Sequence, residues 1–105
     1  MKGDEKMGYI QVTARELRNN AAELQNLNDQ FKAKAGELSE KESALCSMWE
    51  GEARDAFHRA FEKDRQQMDA FGQLIGQYIA ALLEIAGRYE QAEARNRELA
   101  TARNY

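Results

Sequence analysis

The chain has 105 residues, no proline, 43% hydrophobic and 31% charged residues, and a formal net charge of -3. One domain is the expectation at this length, and the absence of Pro suits long helices, because Pro costs about 3 kcal/mol inside one. The charges alternate in sign along a solvated face rather than forming a tail, and the negative balance excludes a nucleic-acid binder, which needs a basic stripe to displace phosphate counterions.

Residues 1–9 are polar and Gly-punctuated, and are expected to be loose. They contain no apolar core of the kind a Sec-type signal peptide needs. The longest contiguous apolar run, Ile79 to Leu83, is too short to span a bilayer, so a soluble chain without stable membrane insertion is expected.

Thr13 followed by Glu16 is a capping-box pattern that opens helix 1. Leu17, Ala21, Leu24, Phe31, Ala35, Leu38, Leu45 and Trp49 then recur at alternating spacings of three and four, with Asn28 and Glu42 as polar breaks in the row. That is a heptad-like seam. It predicts helix 1 over about 14–47, roughly 50 Å long at 1.5 Å per residue.

The only Trp stands two residues before a Gly at mid-chain, in Met48-Trp49-Glu50-Gly51-Glu52-Ala53. Gly tolerates the positive φ that a tight reversal often needs, so a turn over 48–51 is expected. Trp49 suits a plug at the end of a bundle, and equally a partly exposed anchor for a partner. Helix 2 is expected over about 52–100, with Glu52 and Asp55 well placed in its first turn.

The main apolar stripe of helix 2 reads Ala53, Phe57, Ala60, Asp64, Met68, Phe71, Ile75, Tyr78, Leu82, Ile85, Tyr89 and Ala92. A second stripe, Gly72, Gly76, Ile79, Leu83 and Ala86, is offset from it. Gly72 and Gly76 each cost about 1 kcal/mol of helix propensity; they read either as a close-approach patch or as tolerated sequence. One hairpin cannot cover so broad an arc. Burying each large apolar side chain is worth about 1.5–3 kcal/mol, so a second molecule is the economical cover. The expected architecture is all-α: an antiparallel two-helix hairpin with a Trp-x-Gly turn, dimerising into a four-helix bundle. Its packing residues are Leu24, Phe31, Leu38, Phe71, Gly72, Ile75, Gly76, Ile79, Leu82 and Leu83.

No catalytic, cofactor or metal site emerges. Asp55, His58 and Glu62 share a helix face, but His58 is the only histidine, and a zinc site usually draws on several His or Cys ligands. Cys46, the only cysteine, reads as a small buried hydrophobe. Cys46 and His58 flank the turn, yet no third orienting group is evident for nucleophilic catalysis. A non-enzymatic protein is expected.

The nine residues from Trp49 to Phe57 read Trp-x-Gly-x-Ala-x-x-x-Phe, on Trp49, Gly51, Ala53 and Phe57. With the chain length and the central turn, this resembles the WXG-hundred, ESAT-six-like family of type VII (Esx) secretion. Tyr89 and Glu93 fit the Tyr-x-x-x-Asp/Glu pattern that such proteins carry after the second helix, and share a helix face. The resemblance implies leaderless export, as a folded dimer, by an FtsK/SpoIIIE-like membrane ATPase. It implies either a homodimer, preferred for the broad face of helix 2, or a pair with a second WXG-type protein. If position 50 + k lies beside 50 − k, Tyr89 and Glu93 fall where helix 1 runs out. In an antiparallel dimer the partner copy's turn reaches the same end, so each end of the bundle would present Tyr89 and Glu93 of one copy with Trp49 and Gly51 of the other. The competing expectations are an adaptor for the helical N-terminal domain of a larger toxin, and an intracellular coiled-coil scaffold. Residues 94–105 are left as an ordering tail or a frayed end.

Overall fold

The computed structural model of the protein describes residues 12–103. The expectations for residues 1–9 and for 104–105 lie outside the described residues. Two helices make up the described chain, α1 over Ala14–Cys46 and α2 over Glu52–Arg103, and there is no strand among the described residues. α2 therefore runs past the expected 100, and the reversal occupies 47–51.

The start of α1 is closed by the capping box. The Glu16 N–H donates to Thr13 Oγ1 at 3.1 Å, and the Thr13 N–H donates back to Glu16 Oε1 at 3.3 Å. Two of the unpaired groups at a helix N-terminus are thereby satisfied.

The chain divides into two compact units, one of Glu23–Ile79 and one formed by the residues through Ala22 with those from Ala80 onward. In the Glu23–Ile79 unit, α1 packs antiparallel on α2 in a register marked by cross-helix polar contacts. Asn28 Nδ2 donates to the Gly72 carbonyl at 3.1 Å. Arg65 Nη1 donates to the Ala35 carbonyl and, at 2.6 Å, to Ser39 Oγ. His58 Nδ1 lies 2.7 Å from Glu42 Oε2. The pairs 28/72, 35/65 and 42/58 each straddle position 50 symmetrically, at steps of one heptad. Phe31 and Phe71 add an edge-to-face contact with centroids 5.6 Å apart.

The buried row of α1 takes the small and polar positions of the expected seam and leaves its large apolar ones at the sides. Ala14, Ala21, Asn28, Ala35, Glu42 and Cys46 are buried, while Leu38 and Leu45 are exposed. Asn28 and Glu42, read in the sequence as breaks, are thus members of the inward face. On α2 the buried positions fall in the offset stripe, at Gly72, Ile79 and Ala86, although Leu83 of that stripe is exposed; of the main stripe Met68, Ile75 and Leu82 are half-buried, and Phe57, Phe71, Tyr78, Ile85 and Tyr89 are exposed. Small side chains let helix axes approach, and the larger residues flanking them are pushed to the sides of the contact.

An 18-residue window within Glu52–Leu99 reaches a mean hydropathy of 1.2, with 17% of it buried. By length and composition alone α2 is apolar enough to cross a membrane, against the expectation from contiguous runs. Tyr78 and Glu84 bound the Ile79–Leu83 run, and the longer stretch around it is apolar only on average.

Candidate functional site

The reversal is built from backbone hydrogen bonds. The Met48 N–H donates to the Leu45 carbonyl at 3.1 Å and the Trp49 N–H to the Cys46 carbonyl at 3.4 Å, tightening the last turn of α1. Arg54 Nε donates to the same Cys46 carbonyl at 3.2 Å, so a side chain from the first turn of α2 gives this acceptor at the end of α1 a second partner. Gly51 has φ 115°, a conformation that side chains resist, and its carbonyl accepts the Asp55 N–H at 3.1 Å to start α2.

This turn places the motif residues unequally. Trp49 is half-buried and packs against Phe57, with ring centroids 5.8 Å apart at 44°. Phe57 and Ala53 remain exposed, and Met48 projects with 80% of its surface open. The tip of the hairpin is therefore apolar and accessible. A shallow pocket beside it is lined by Cys46, Trp49, Gly51, Arg54 and Asp55 among others.

In the other unit, Tyr89 and Glu93 are exposed on α2. Between them in sequence, Glu90 takes a two-point ion pair from Arg18 of α1, at 2.6 Å from Nε and 2.8 Å from Nη2. That pairing raises the Arg18 guanidinium's affinity for its proton and holds the Glu90 carboxyl below its ordinary range, the hydrogen bonds being the first cause of both. It ties the start of α1 to the α2 segment that carries Tyr89.

Within Glu23–Ile79, two open apolar grooves run between the helices. Leu24, Leu27, Phe31, Phe71 and Ile75 line one; Leu38, Leu45, Phe57 and Phe61 line the other. Leu27, Leu38, Leu45, Phe57, Phe71, Leu74 and Tyr78 expose between 39% and 58% of their surface. Of the expected packing residues, Gly72 and Ile79 are buried, and Leu24, Phe31, Ile75, Gly76 and Leu82 are half-buried. Leu38, Phe71 and Leu83 are exposed. A Cβ added at Gly72 would lie 3.4 Å from Lys32 Cε, whereas one at Gly76 would meet nothing within 4 Å. Only Gly72 sits against the facing helix.

Cys46 and His58, which flank the turn, are joined by a residue that the sequence offered only as a break in the seam. Glu42 Oε2 accepts from the Cys46 thiol at 3.1 Å and lies 2.7 Å from His58 Nδ1. The imidazole contact first, and the thiol second, hold the Glu42 carboxyl below its ordinary range; burial opposes them. Burial first, and then the carboxylate, push the Cys46 thiol up. Asp55, His58 and Glu62 share one face of α2, and His58 Nε2 lies 3.5 Å from Glu62 Oε2. The fold also brings His58 to Glu42 of α1, whose Oε2 is shared with Cys46. The available signal was the heptad phase of Glu42 with Ala21, Asn28 and Ala35.

A family model described as WXG100, proteins of 100 residues with WXG, matches residues 9–94. An ESAT-6-like protein of Streptococcus agalactiae serotype V is 26% identical over 88 residues, covering 84% of this chain and 92% of its own. Among solved structures, the secreted protein EsxB of Bacillus anthracis strain Sterne superposes with a TM-score of 0.73 at 21% identity, over 83% of this chain and 99% of that one. A wild-type crystal form of EsxB gives 0.71 at 21% identity, over 80% of this chain and 97% of that one.

Proposed function

The chain belongs to the WXG100 family, and from that premise we propose that it is exported as a folded helical dimer by an Esx-type secretion system, serving as secreted effector or secretion cofactor. The observation that carries this reading is the Trp49-x-Gly51 reversal, with its positive φ, set inside a hairpin that the family model matches over residues 9–94. The chain's likeness in fold to EsxB, a secreted protein of Bacillus anthracis, supports it.

The dimer follows from the apolar surface left over. The hairpin spends its small residues on its own contact and leaves Leu27, Leu38, Leu45, Phe57, Phe71 and Tyr78 exposed. Each such side chain gains about 1.5–3 kcal/mol when fully covered. A second copy presents the same grooves and knobs by symmetry, as an isologous interface requires. The same face would equally take the helical segment of a larger protein, which is the adaptor reading. Sedimentation of the pure chain separates the two: a dimer of about 24 kDa, twice the 12.0 kDa chain, supports self-pairing. A monomer that pairs only with a second protein supports the adaptor.

Recognition by the secretion ATPase is assigned to Tyr89 and Glu93 together with Trp49 and Gly51 of the partner copy. Tyr89, Glu93 and Gly51 are exposed and Trp49 is half-buried. In a producing strain, Trp49→Ala and Glu93→Ala are each expected to hold the protein inside the cells, while a Lys34→Ala control is exported. A mixed dimer then tests the composite arrangement. Export of dimers with both lesions at one end, to the same extent as dimers with the lesions split between ends, would overturn it. Intact mass of the exported protein checks the proposed route, which leaves the N-terminus uncleaved.

A further inference from the structure

We propose that Glu42, Cys46 and His58 form a binding site for one divalent transition-metal ion of the Zn2+ type, clipping α1 to α2 beside the reversal. Their donor atoms all lie within 4.8 Å of one another. Glu42 and Cys46 are buried and one helical turn apart on α1, and His58 reaches them from α2.

The donor set is one sulfur, one imidazole nitrogen and one carboxylate oxygen, all of which Zn2+ accepts, with water left as the fourth ligand. Tetrahedral bonds of about 2.3 Å to sulfur and about 2.0–2.2 Å to nitrogen and oxygen place the donors roughly 3.4–3.6 Å apart. The present separations are 3.1 Å for Sγ to Oε2 and 2.7 Å for Nδ1 to Oε2. The two sides that meet at Oε2 each need to open by less than about 1 Å to admit the ion, a movement within reach of side-chain torsions, and the Sγ–Nδ1 side lies within 4.8 Å.

Charge and protons balance. As the Sγ–metal bond forms, the thiol proton leaves to solvent. Thiolate and carboxylate together neutralise a divalent ion, with imidazole neutral. Nδ1 binds through its lone pair, which places the imidazole proton on Nε2. That nitrogen lies 3.5 Å from Glu62 Oε2, so Glu62 takes the place of the carboxylate that commonly orients a metal-binding His. Arg54, the nearby cation, directs its hydrogen bonds to the Cys46 carbonyl and to Asp55 rather than to the three donors. At a buried seam position an apolar side chain would serve packing better than a carboxylate does; a metal clip gives the Glu-Cys-His set a purpose that packing alone does not.

The test uses the full, untagged chain with its thiol kept reduced by a phosphine. Calorimetric titration with Zn2+ alone should give one ion per chain, and the thermal midpoint should rise with Zn2+ concentration. Co2+ in place of Zn2+ should give a thiolate-to-metal charge-transfer band. Cys46→Ser should abolish that band and weaken Zn2+ binding by at least tenfold, and His58→Gln should weaken it similarly. Glu62→Gln should weaken it by about tenfold, and Asp64→Asn, on an exposed stretch of α2, should leave it unchanged. Helicity of each variant is checked by circular dichroism. Cys46→Ser is close to isosteric, so the charge-transfer comparison stands even if His58→Gln fails to fold. No saturable binding at one equivalent, or equal binding by Cys46→Ser, overturns the site.

Discussion

Asn28 reaches across the hairpin to donate its side-chain N–H to the Gly72 carbonyl at 3.1 Å, while Oδ1 of the same amide is buried without a hydrogen-bond partner. A polar residue in a helix seam fixes register at a cost in stability. The orphaned oxygen sets that cost at about 1–3 kcal/mol. Asn28→Leu is therefore expected to raise the free energy of unfolding by about 1 kcal/mol in urea titrations, with a less uniquely ordered hairpin visible as broadened amide resonances. A loss of stability would show that the single Asn28–Gly72 bond outweighs the orphan.

Two glycines make opposite predictions for the same substitution. Gly51 has φ 115° and nothing within 4 Å of an added Cβ, so Gly51→Ala meets backbone strain alone, about 1–3 kcal/mol of destabilisation. Gly76 is helical and equally uncrowded, so Gly76→Ala gains helix propensity and stabilises by about 1 kcal/mol. Paired thermal melts of the two variants check both signs.

The apolar face predicts a change of assembly state without a change of fold. Leu38 exposes 49% of its surface in the single chain. Leu38→Glu should leave helicity by circular dichroism intact and shift sedimentation from about 24 kDa toward the 12.0 kDa chain. An unchanged dimer would place the interface elsewhere.

Glu42 predicts part of the acid limb of stability. Its folded carboxyl titrates below its unfolded counterpart, chiefly through His58 and then Cys46. A depressed carboxyl contributes stability that is fully present above the unfolded carboxylate pKa of about 4.3 and is lost as pH falls through the lower folded value. Thermal midpoints followed from neutral pH downward should fall less steeply for Glu42→Gln than for the wild type. An identical acid slope would show that the Glu42 contacts do not persist in solution.

Much of the architecture was legible in the order of residues. Thr13 and Glu16 marked the start of α1, the Pro-free heptad pattern marked two long helices, and Trp49-x-Gly51 marked the reversal and the family. These are local properties: caps, propensities and a positive-φ position act within a turn or two of chain, so neighbouring residues suffice to specify them. The inward faces were not legible in the same way. Periodicity reported two adjacent apolar stripes on α2, and only the register of the folded pair decided that Gly72, Ile79 and Ala86 face α1 while Phe57, Phe71 and Tyr78 stay outside. The same register turned Asn28 and Glu42 from apparent interruptions into cross-helix contacts, and brought Cys46 and His58 to one carboxylate. Such pairings depend on side-chain volume and on distance between residues remote in the chain, and those quantities exist only once the two helices have packed.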